Sequence, residues 1–487
     1  MKKINLYKAQ KVIYDRAIKS PVFANFSDQG TGKTIVALKL IEYRMKNNGV
    51  NHVVIILPQT IIANWIDEIK TYLDVVVNVY DTKHDKVTSE ILKSDKKSIT
   101  LINYEKYIRS YYQLKKKNFD MAVIDESHRL KNYKIRKAKT CSHIYYCTRN
   151  ILYKLIMTGT PICNGAEDLF MQFKILDEKI ICATFDEFQS MYLKMGGYFN
   201  KNVIGYKNQK KLQKIVQKHS ARVELKDCVE LPPIVINNVY TKLSPPALRL
   251  YGTMEKSLYA ELDKVKAKLS RLQLKTLCRN SGIHIKRGIS YLDLFILCHD
   301  LLSESNCDML ITKLLRMHQI AGGFLTTDAG TTEKIHNVKI NACLDLLEGI
   351  KGQVLIFCQY KAEIEHLEIA LKKSKYKVCN YREQKTRTEV YRDFKEGRYQ
   401  IMILQISSGS VGLNLQEANH VIFYSWNYKA DSYRQAISRI KRIGQSKKMY
   451  VQNIIMNGTI DKTILNIIGK KSKFAAKFLA RKKVKKC

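Results

Sequence analysis

The residues best suited to chemistry lie in the segment Ser27-Asp-Gln-Gly-Thr-Gly-Lys-Thr34, which follows an apolar run and precedes a helix-forming sequence. Its candidate nucleotide-binding residues are Gly30, Thr31, Gly32, Lys33 and Thr34. The two glycines allow backbone N–H groups to approach phosphate oxygens. In this pattern Lys33 reaches the β- and γ-phosphates and Thr34 binds Mg²⁺. The segment predicts a phosphate loop, and a plain glycine turn before a helix is the alternative.

A second candidate is the pair of adjacent carboxylates Asp125 and Glu126, which ends the apolar run Met121-Ala-Val-Ile. Two carboxylates at a strand end can divide the chemistry of phosphoryl transfer. Asp125 would hold Mg²⁺, directly or through a water, and Glu126 would polarise the attacking water. Alone, the pair could equally be an exposed acidic turn. Its position downstream of the glycine loop, at the end of another buried strand, favours the catalytic interpretation.

A third candidate is the pair Arg439 and Arg442 within Gln435-Ala-Ile-Ser-Arg-Ile-Lys-Arg-Ile-Gly-Gln445. On a helix, residues three apart share a face. Two guanidiniums on one face could clamp a phosphate whose charge grows in the transition state. The spacing alone favours a solvated basic helix instead. If these arginines belong to a second lobe, hydrolysis requires lobe closure, which could drive movement along a bound polymer.

The elements that must position these residues are short apolar runs followed by polar or turn residues. The clearest runs are His52–Pro58, Met121–Asp125, Lys154–Thr158, Gln353–Cys358, Gln400–Leu404 and His420–Tyr424. They predict buried parallel strands that alternate with helices, with ligands bound at the carboxyl ends of the strands. Met157-Thr-Gly-Thr-Pro161 is a further strand end that carries hydroxyls. Lysine-rich helical sequence at 207–225 and 247–320 separates two α/β lobes.

The charge of the chain is its most unusual bulk property. Among 487 residues, 84 Lys and Arg outnumber 44 Asp and Glu, which leaves a formal net charge of +40. The hydrophobic content of 45% and charged content of 26% are those of a globular protein and exclude a disordered, collagen-like or coiled-coil chain. Such a basic excess indicates a polyanionic partner, above all nucleic acid, with plain composition bias as the alternative.

Cysteine spacing and hydropathy indicate the cellular compartment. The 12 cysteines are scattered without a CxxC step or recurring Cys/His spacing, so we expect no zinc site and a reducing compartment. The start has no apolar signal core, and no apolar run reaches the length of a transmembrane helix. We therefore expect an intracellular, soluble protein without a membrane partner.

The ordered set of motifs resembles helicase superfamily two, and within it the Swi/Snf-type, DNA-dependent ATPases. Asp125-Glu-Ser-His-Arg-Leu-Lys-Asn132 is similar to the family signature D-E-A-H-R-I-K-N, with Ser127 in place of alanine. The other matching segments are Leu6–Gln10, Ser27–Thr34, Leu57–Trp65, Leu101–Glu105, Thr158–Asn164, Ser408–Leu415 and Gln435–Gln445. Between the lobes, Val229–Pro233 and Leu314–Phe324 also resemble this family. Trp426-Asn-Tyr departs from it because a proline usually follows Trp-Asn.

The resemblance implies an α/β fold with two RecA-like parallel-sheet lobes in tandem and helical insertions. The expected divisions are an ATP-binding lobe at 1–232, a helical insertion at 233–335, a second lobe at 336–469 and a basic tail at 470–487. It implies adenine contact by Gln10, nucleotide contact by Gln435, ATP and Mg²⁺ as cofactors, and catalysis by Asp125, Glu126, Arg439 and Arg442.

The partner implied by the resemblance is DNA, expected to be double-stranded and bound without sequence preference, in a prokaryotic or host cytoplasm or nucleoid. RNA is not excluded. A strand-separating DNA or RNA helicase and a catalytically inactive nucleic-acid-binding scaffold are the alternatives. No strand-splitting hairpin is identifiable from sequence, although residues 180–230 or 260–310 could contain one.

Overall fold

The computed structural model describes residues 3–80, 85–131, 139–162, 165–196, 202–266, 308–327, 330–381, 387–409 and 413–479. Several predicted features lie outside these residues: the end of Thr158–Asn164, the centre of Ser408–Leu415, the middle of the 233–335 insertion and the last part of the basic tail. Within the described residues, no helix has the length and apolar composition needed to cross a bilayer.

The chain divides into two units by its internal contacts. The first contains Met1–Lys194, Tyr206–Glu230 and Ala475–Cys487, and the second contains Met195–Gly205 and Leu231–Phe474. The stretch predicted to be the insertion at 233–335 thus falls in the second unit. The predicted tail at 470–487 begins inside the helix Ile460–Leu479, the last one among the described residues. The domain boundaries drawn from sequence otherwise stay predictions.

The first unit is built on a parallel sheet. In chain order through Ala221, the strands are β1 (Val22–Asn25), β2 (His52–Leu57), β3 (Val76–Val79), β4 (Ser98–Asn103), β5 (Met121–Asp125), β6 (Tyr153–Met157), β7 (Leu193–Gly196), β8 (Asn202–Tyr206) and β9 (Ser220–Ala221). Strands β7 and β8 overlap Met195–Gly205, which belongs to the second unit. Seven form one sheet in the order β3-β4-β2-β5-β6-β1-β9, and β7 with β8 forms a separate two-stranded sheet. Buried β-branched residues in the central strands explain why the runs fold this way.

Helices alternate with these strands. They are α1 (Lys8–Ala17), α2 (Lys33–Asn47), α3 (Ile62–Tyr72), α4 (Asp85–Lys93), α5 (Tyr104–Arg109), α6 (Tyr111–Leu114), α7 (Lys139–Thr148), α8 (Asp168–Leu176), α9 (Phe185–Tyr192), α10 (Gln209–His219) and α11 (Leu225–Cys228), with 3₁₀ turns at Gln59–Ile61 and Ser127–Leu130. In the sheet β6 lies between β5 and β1, with Met157 paired both to Asp125 and to Asn25. The glycine loop, the carboxylate pair and Thr158 therefore leave adjacent strands at the same edge.

The second unit contains a second parallel sheet. Its strands are β10 (Ile234–Lys242), β13 (Val354–Cys358), β14 (Val378–Asn380), β15 (Ile401–Gln405), β16 (His420–Phe423) and β17 (Met449–Asn457), in the order β10-β17-β16-β13-β15-β14. A small ribbon pairs β11 (Phe324–Thr326) with β12 (Thr332–Lys334). The two parallel sheets confirm the predicted α/β fold. Strand β10, which opens the predicted helical insertion, pairs with β17 along its whole length.

The described helices after β10 are α12 (Pro245–Lys266), α13 (Asp308–Gly322), α14 (Val338–Glu348), α15 (Lys361–Lys373), α16 (Arg387–Lys395), α17 (Ile406–Gly409), α18 (Ala430–Ile437) and α19 (Ile460–Leu479). All lie in the second unit except the end of α19 from Ala475. One core lies on each side of the sheet. Phe357 of β13 and Phe423 of β16 stack with ring centroids 5.5 Å apart in one of them.

A buried ion pair fastens the start of α19 to this core. Lys339 of α14 and Asp461 of α19 are both fully buried, and their charged atoms are 2.6 Å apart. The Lys339 ammonium also donates to the Tyr424 carbonyl at 3.0 Å. The Asp461 oxygen that pairs with Lys339, Oδ2, also accepts from the Met456 backbone N–H at 3.0 Å. Removing one charge would strand the other in the core, which is far more costly than losing an exposed pair.

We predict that Asp461→Asn lowers the free energy of unfolding by about 3–5 kcal/mol, because Lys339 keeps its charge and loses its partner. Urea denaturation measures the change. Lys372→Met is the control, since Lys372 pairs with Glu368 on the surface of α15 and its loss should amount to less than about 1 kcal/mol. Equal losses in the two variants would contradict the role given to the buried pair.

Candidate nucleotide-binding and catalytic site

The glycine loop joins β1 to the fifteen-residue helix α2. Gly30 and Gly32 both have left-handed backbone angles, with φ of 78° and 74°, which suit glycine far better than any side chain. A Cβ at Gly32 would also lie 2.6 Å from the Gln10 amide nitrogen. Helix α2 begins immediately after the loop, so its unpaired N–H groups and positive dipole end are available to an anion.

Gln10 lies against this loop, as the resemblance implied. Its side chain is only 3% exposed. The amide nitrogen donates to the Thr31 carbonyl at 2.8 Å, and the amide oxygen accepts from the Tyr7 backbone N–H at 3.0 Å. Both ends of the amide are thus oriented, because the loop holds one and the start of α1 holds the other. Gln10 can therefore shape the loop as well as contact a base.

Lys33 and Thr34 occupy the first turn of α2. The Lys33 ammonium donates to the carbonyls of Ser27 and Asp28, each at 3.1 Å. The Thr31 hydroxyl donates to the same Asp28 carbonyl at 2.7 Å. The acceptors of the Lys33 ammonium are therefore neutral carbonyls of the loop. A phosphate oxygen can take their place and accept a stronger, charge-assisted hydrogen bond.

Asp125 ends β5 with both carboxylate oxygens hydrogen-bonded. The Trp65 indole N–H of α3 donates to Oδ2 at 3.1 Å, and the Glu126 backbone N–H donates to Oδ1 at 2.9 Å. Burial, with a smaller contribution from the adjacent Glu126, raises the pKa of Asp125 to about 6, while Lys33 acts in the opposite direction. The carboxylate is thus short of positive charge, which a bound cation would supply.

Glu126 adopts the left-handed conformation, with φ of 54° and ψ of 47°. A non-glycine residue at these angles is strained by roughly 1–3 kcal/mol, and such residues concentrate at functional sites. The conformation sends its carboxylate toward the end of β6. There Oε2 lies 3.2 Å from Nδ1 of His128 and 3.5 Å from the Thr158 hydroxyl, which are themselves 3.1 Å apart.

The turn after β6 touches the glycine loop directly. A Cβ at Gly159 would lie 2.9 Å from Cγ and 3.2 Å from the backbone nitrogen of Gln29, so only glycine fits between the two segments. The Thr158 hydroxyl accepts from the Thr160 N–H at 3.1 Å and so stiffens this turn. Glycine loop, carboxylate pair and hydroxyl turn therefore form one continuous site within the first unit.

Ser127 departs from the family signature and has a clear packing reason. It is fully buried, and its hydroxyl donates to the Gln172 side chain of α8 at 2.9 Å. The Gln172 amide nitrogen in turn donates to the Pro161 carbonyl at 2.8 Å. The hydroxyl that replaces the usual methyl group thus ties the carboxylate segment to the turn after β6.

In the second unit Arg439 and Arg442 do not share a helix. Helix α18 ends at Ile437, so the expected common helical face is wrong. A turn brings the two guanidiniums together instead, because each donates to the Leu413 carbonyl, at 2.8 Å and 2.9 Å. Arg439 is 2% exposed and also donates from Nε to the Gln435 carbonyl, whereas Arg442 is half-buried.

Two glutamines, Gln435 and Gln445, flank the arginines in this segment. Gln435 is buried at the end of α18, and its carbonyl also accepts from the Ser438 hydroxyl at 2.7 Å. Gln445 was quoted in the motif without a role. Its amide nitrogen donates to the Gln416 and Ala418 carbonyls, both at 3.0 Å, and so fixes the end of the arginine segment against the loop that precedes β16.

Three contributors to the first site had no role assigned from sequence. Trp65 and Tyr104 fall within segments that match the family, and Tyr104 donates to the Asp125 carbonyl at 2.7 Å. His128 lies within the carboxylate motif itself. The signal available was their place within the motif segments that resemble the family, but spacing alone does not reveal which carboxylate oxygen a side chain will meet.

Comparisons with known proteins show which family the sequence matches. Residues 6–286 match the SNF2-related domain, and residues 338–444 match the helicase conserved C-terminal domain. An uncharacterized ATP-dependent helicase of Mycoplasma genitalium is 25% identical over 98% of this chain and 42% of its own length. A probable ATP-dependent DNA helicase of Arabidopsis thaliana is 25% identical over 93% of this chain and 39% of its length.

The chain thus spans about two fifths of the length of these curated relatives. A solved structure of the Sulfolobus solfataricus SWI2/SNF2 ATPase core in complex with double-stranded DNA is 20% identical, with a TM-score of 0.42, and covers 97% of this chain and 92% of that one. The match to the SNF2-related domain covers more than half of the sequence. The chain therefore belongs to the SNF2-related family of ATP-hydrolysing enzymes.

Proposed function

We propose that this chain hydrolyses ATP in response to duplex DNA and moves along the duplex without separating its strands. The observation that carries the proposal is the assembly of three strand ends into one site. At one sheet edge, the Thr158 hydroxyl after β6 lies 3.5 Å from the Glu126 carboxylate after β5, and Lys33 of the glycine loop acts electrostatically on Asp125. This set can bind a triphosphate and direct water at it.

Mg²⁺ fits the donor chemistry of this site. Thr34 offers a hydroxyl and Asp125 a carboxylate, and hard oxygen ligands of this kind suit Mg²⁺, which also takes phosphate oxygens. The raised pKa of Asp125 is the supporting observation, because a buried carboxylate that lacks compensation gains from a divalent cation. The bound ion would neutralise charge on the β- and γ-phosphates.

Glu126 is the proposed base that orients the attacking water. Its left-handed backbone and the contacts with His128 and Thr158 restrict the carboxylate to one position. Orientation of this kind is worth a large part of the rate in phosphoryl transfer, where positioning dominates over covalent chemistry. His128 and Thr158 are positioning residues in this proposal, since they act through Glu126.

Duplex DNA is the proposed partner because of the chain's charge and its family. A net charge of +40 favours the phosphate backbone, which carries no sequence information. One of the relatives is named as a probable DNA helicase, and both are named as ATP-dependent helicases. A strand-separating motor is the second candidate, because β7 and β8 form a two-stranded sheet within 180–230, one of the two segments that could contain a strand-splitting hairpin.

The first prediction separates nucleotide binding from turnover. Lys33→Ala should weaken ATP binding by roughly tenfold or more, because a charge-assisted contact is lost. Glu126→Gln should bind ATP near normally and lose at least about 100-fold in turnover. Calorimetric titration and steady-state ATPase rates measure the two effects. Lys39→Ala on the same helix is the control for Lys33→Ala, and Glu105→Gln, at an exposed glutamate, is the control for Glu126→Gln. Normal hydrolysis by Glu126→Gln would exclude the assignment of Glu126 as the base.

The second prediction distinguishes the two arginines. Arg442→Lys keeps the charge but loses the planar fork, so we expect lower maximal turnover with little change in DNA affinity. Arg439→Lys should mainly lower the melting temperature, since Arg439 is buried and fastens Leu413 to Gln435. Thermal unfolding and DNA titration are compared for both variants. Weakened DNA binding with an intact maximal rate in Arg442→Lys would indicate a DNA-contact role instead.

The third prediction distinguishes the two motors. Separating strands must offset about 1.4 kcal/mol per base-pair step, whereas tracking an intact duplex need not. With ATP, the chain should displace the third strand of a triplex and leave a forked duplex closed. Duplex should also stimulate hydrolysis more than single strands, and equally for unrelated sequences. Efficient opening of the fork, with single-stranded DNA or RNA as the better activator, would favour the helicase.

A further inference from the structure

The segment that follows β9 is paired to the glycine loop. Strand β9 extends the sheet beside β1, with Ser220 opposite Ala24 and Ala221 opposite Asn25. The pairing continues past the strand. The Phe26 N–H donates to the Ala221 carbonyl at 2.8 Å, and the Asp28 N–H donates to the Val223 carbonyl at 3.0 Å.

Side chains add to this pairing, and we call the contacts between Ala221–Val223 and Phe26–Asp28 the brace. The Ser27 hydroxyl oxygen accepts from the Val223 N–H at 3.2 Å. This gives a physical reason for serine at the first position of the loop, because glycine there would leave that N–H without the acceptor. Arg222, between the two paired residues, forms an ion pair of 3.1 Å with the Asp28 carboxylate.

The Arg222–Asp28 pair bears on the nucleotide-binding lysine. The backbone carbonyl of Asp28 accepts from both the Lys33 ammonium and the Thr31 hydroxyl, and the neighbouring Ser27 carbonyl accepts from Lys33 as well. A displacement of Asp28 would therefore move the acceptors of Lys33. The pair is partly shielded, with side-chain exposures of 20% for Arg222 and 33% for Asp28, so solvent does not screen it fully.

The brace also lies just before the chain leaves the first unit. After Val223 the chain forms the short helix α11, passes Glu230 as the last residue of this part of the unit, and begins β10 of the second sheet at Ile234. A force on this connection would thus act on the backbone that is paired with Ser27 and Asp28.

We infer that Arg222 is a positioning residue for nucleotide binding, which holds the Ser27–Asp28 part of the glycine loop through its ion pair with Asp28. The inference rests on the proposed function, in that the glycine loop binds ATP. Arg222 acts through Asp28 and need not touch the nucleotide. Its loss should therefore appear in affinity rather than in the rate at saturating ATP.

The test is a double-mutant cycle read by binding. Affinity for a fluorescent, non-hydrolysable ATP analogue is measured with Mg²⁺ for the full chain, Arg222→Gln, Asp28→Asn and the double variant. We expect each single variant to bind about tenfold more weakly, within the usual range of coupling energies, and the double variant to bind no more weakly than either. Arg222→Lys should restore part of the affinity, because it keeps the charge.

The matched control is Lys226→Gln, four residues further along the same segment. Lys226 is highly exposed and pairs with Glu224, so the same change of charge there should leave analogue affinity unaltered. Melting temperatures of all variants are compared, and the ATPase KM and maximal rate are measured separately. If Arg222 had only a structural role, its loss would lower the melting temperature, and the affinity losses of Arg222→Gln and Asp28→Asn would be additive.

Three results would overturn the inference while the ATP site stands. They are wild-type affinity in Arg222→Gln, additive losses of about a hundredfold in the double variant, and an equal loss in Lys226→Gln. If Arg222→Gln folds poorly, Asp28→Asn and Arg222→Lys still decide, because normal affinity in both contradicts the brace. A wild-type chain that neither binds the analogue nor hydrolyses ATP would overturn the proposed function itself.

Discussion

The adjacent parallel pairing of β5, β6 and β1 is the constraint on which the catalytic site depends. Met157 is paired with Asp125 on one side and Asn25 on the other, so three strands end at the same level. Whatever follows each strand must then share one small volume. The glycine at position 159 is a consequence of this crowding, since the segments meet at separations that exclude a further side chain. The left-handed Glu126 lies in the same volume.

The charges at the catalytic site must also be balanced. Burial and the neighbouring Glu126 raise the pKa of Asp125, while Lys33 and the indole of Trp65 favour its charged form. A site that leaves one carboxylate undercompensated is poised for a cation and a polyphosphate together, because the cation supplies the missing charge and the phosphate gives Lys33 a better acceptor. The second unit has a buried positive charge instead, because the guanidinium of Arg439 donates its hydrogen bonds to neutral carbonyls.

Sequence reasoning succeeded where a local pattern determines local geometry. The glycine loop, the carboxylates after a buried run and the two parallel sheets followed from residue types and their order. It failed for the arginines, because the end of α18 at Ile437 depends on where the turn meets Leu413, a residue distant in the sequence. The Trp65 bond to Asp125 and the pairing of β10 with β17 are also long-range, and neither residue periodicity nor spacing encodes such partners.

The brace at Arg222 gives a physical reason for the serine at the first position of the glycine loop. Serine at position 27 provides an acceptor that the connection to the second unit uses, so the loop and the connection share hydrogen bonds. Coupling free energies are reciprocal in binding. If the brace raises affinity for nucleotide, then bound nucleotide must stabilise the brace by the same free energy. In a motor, this means that ATP would stiffen the first part of the connection as it binds, before any chemistry occurs.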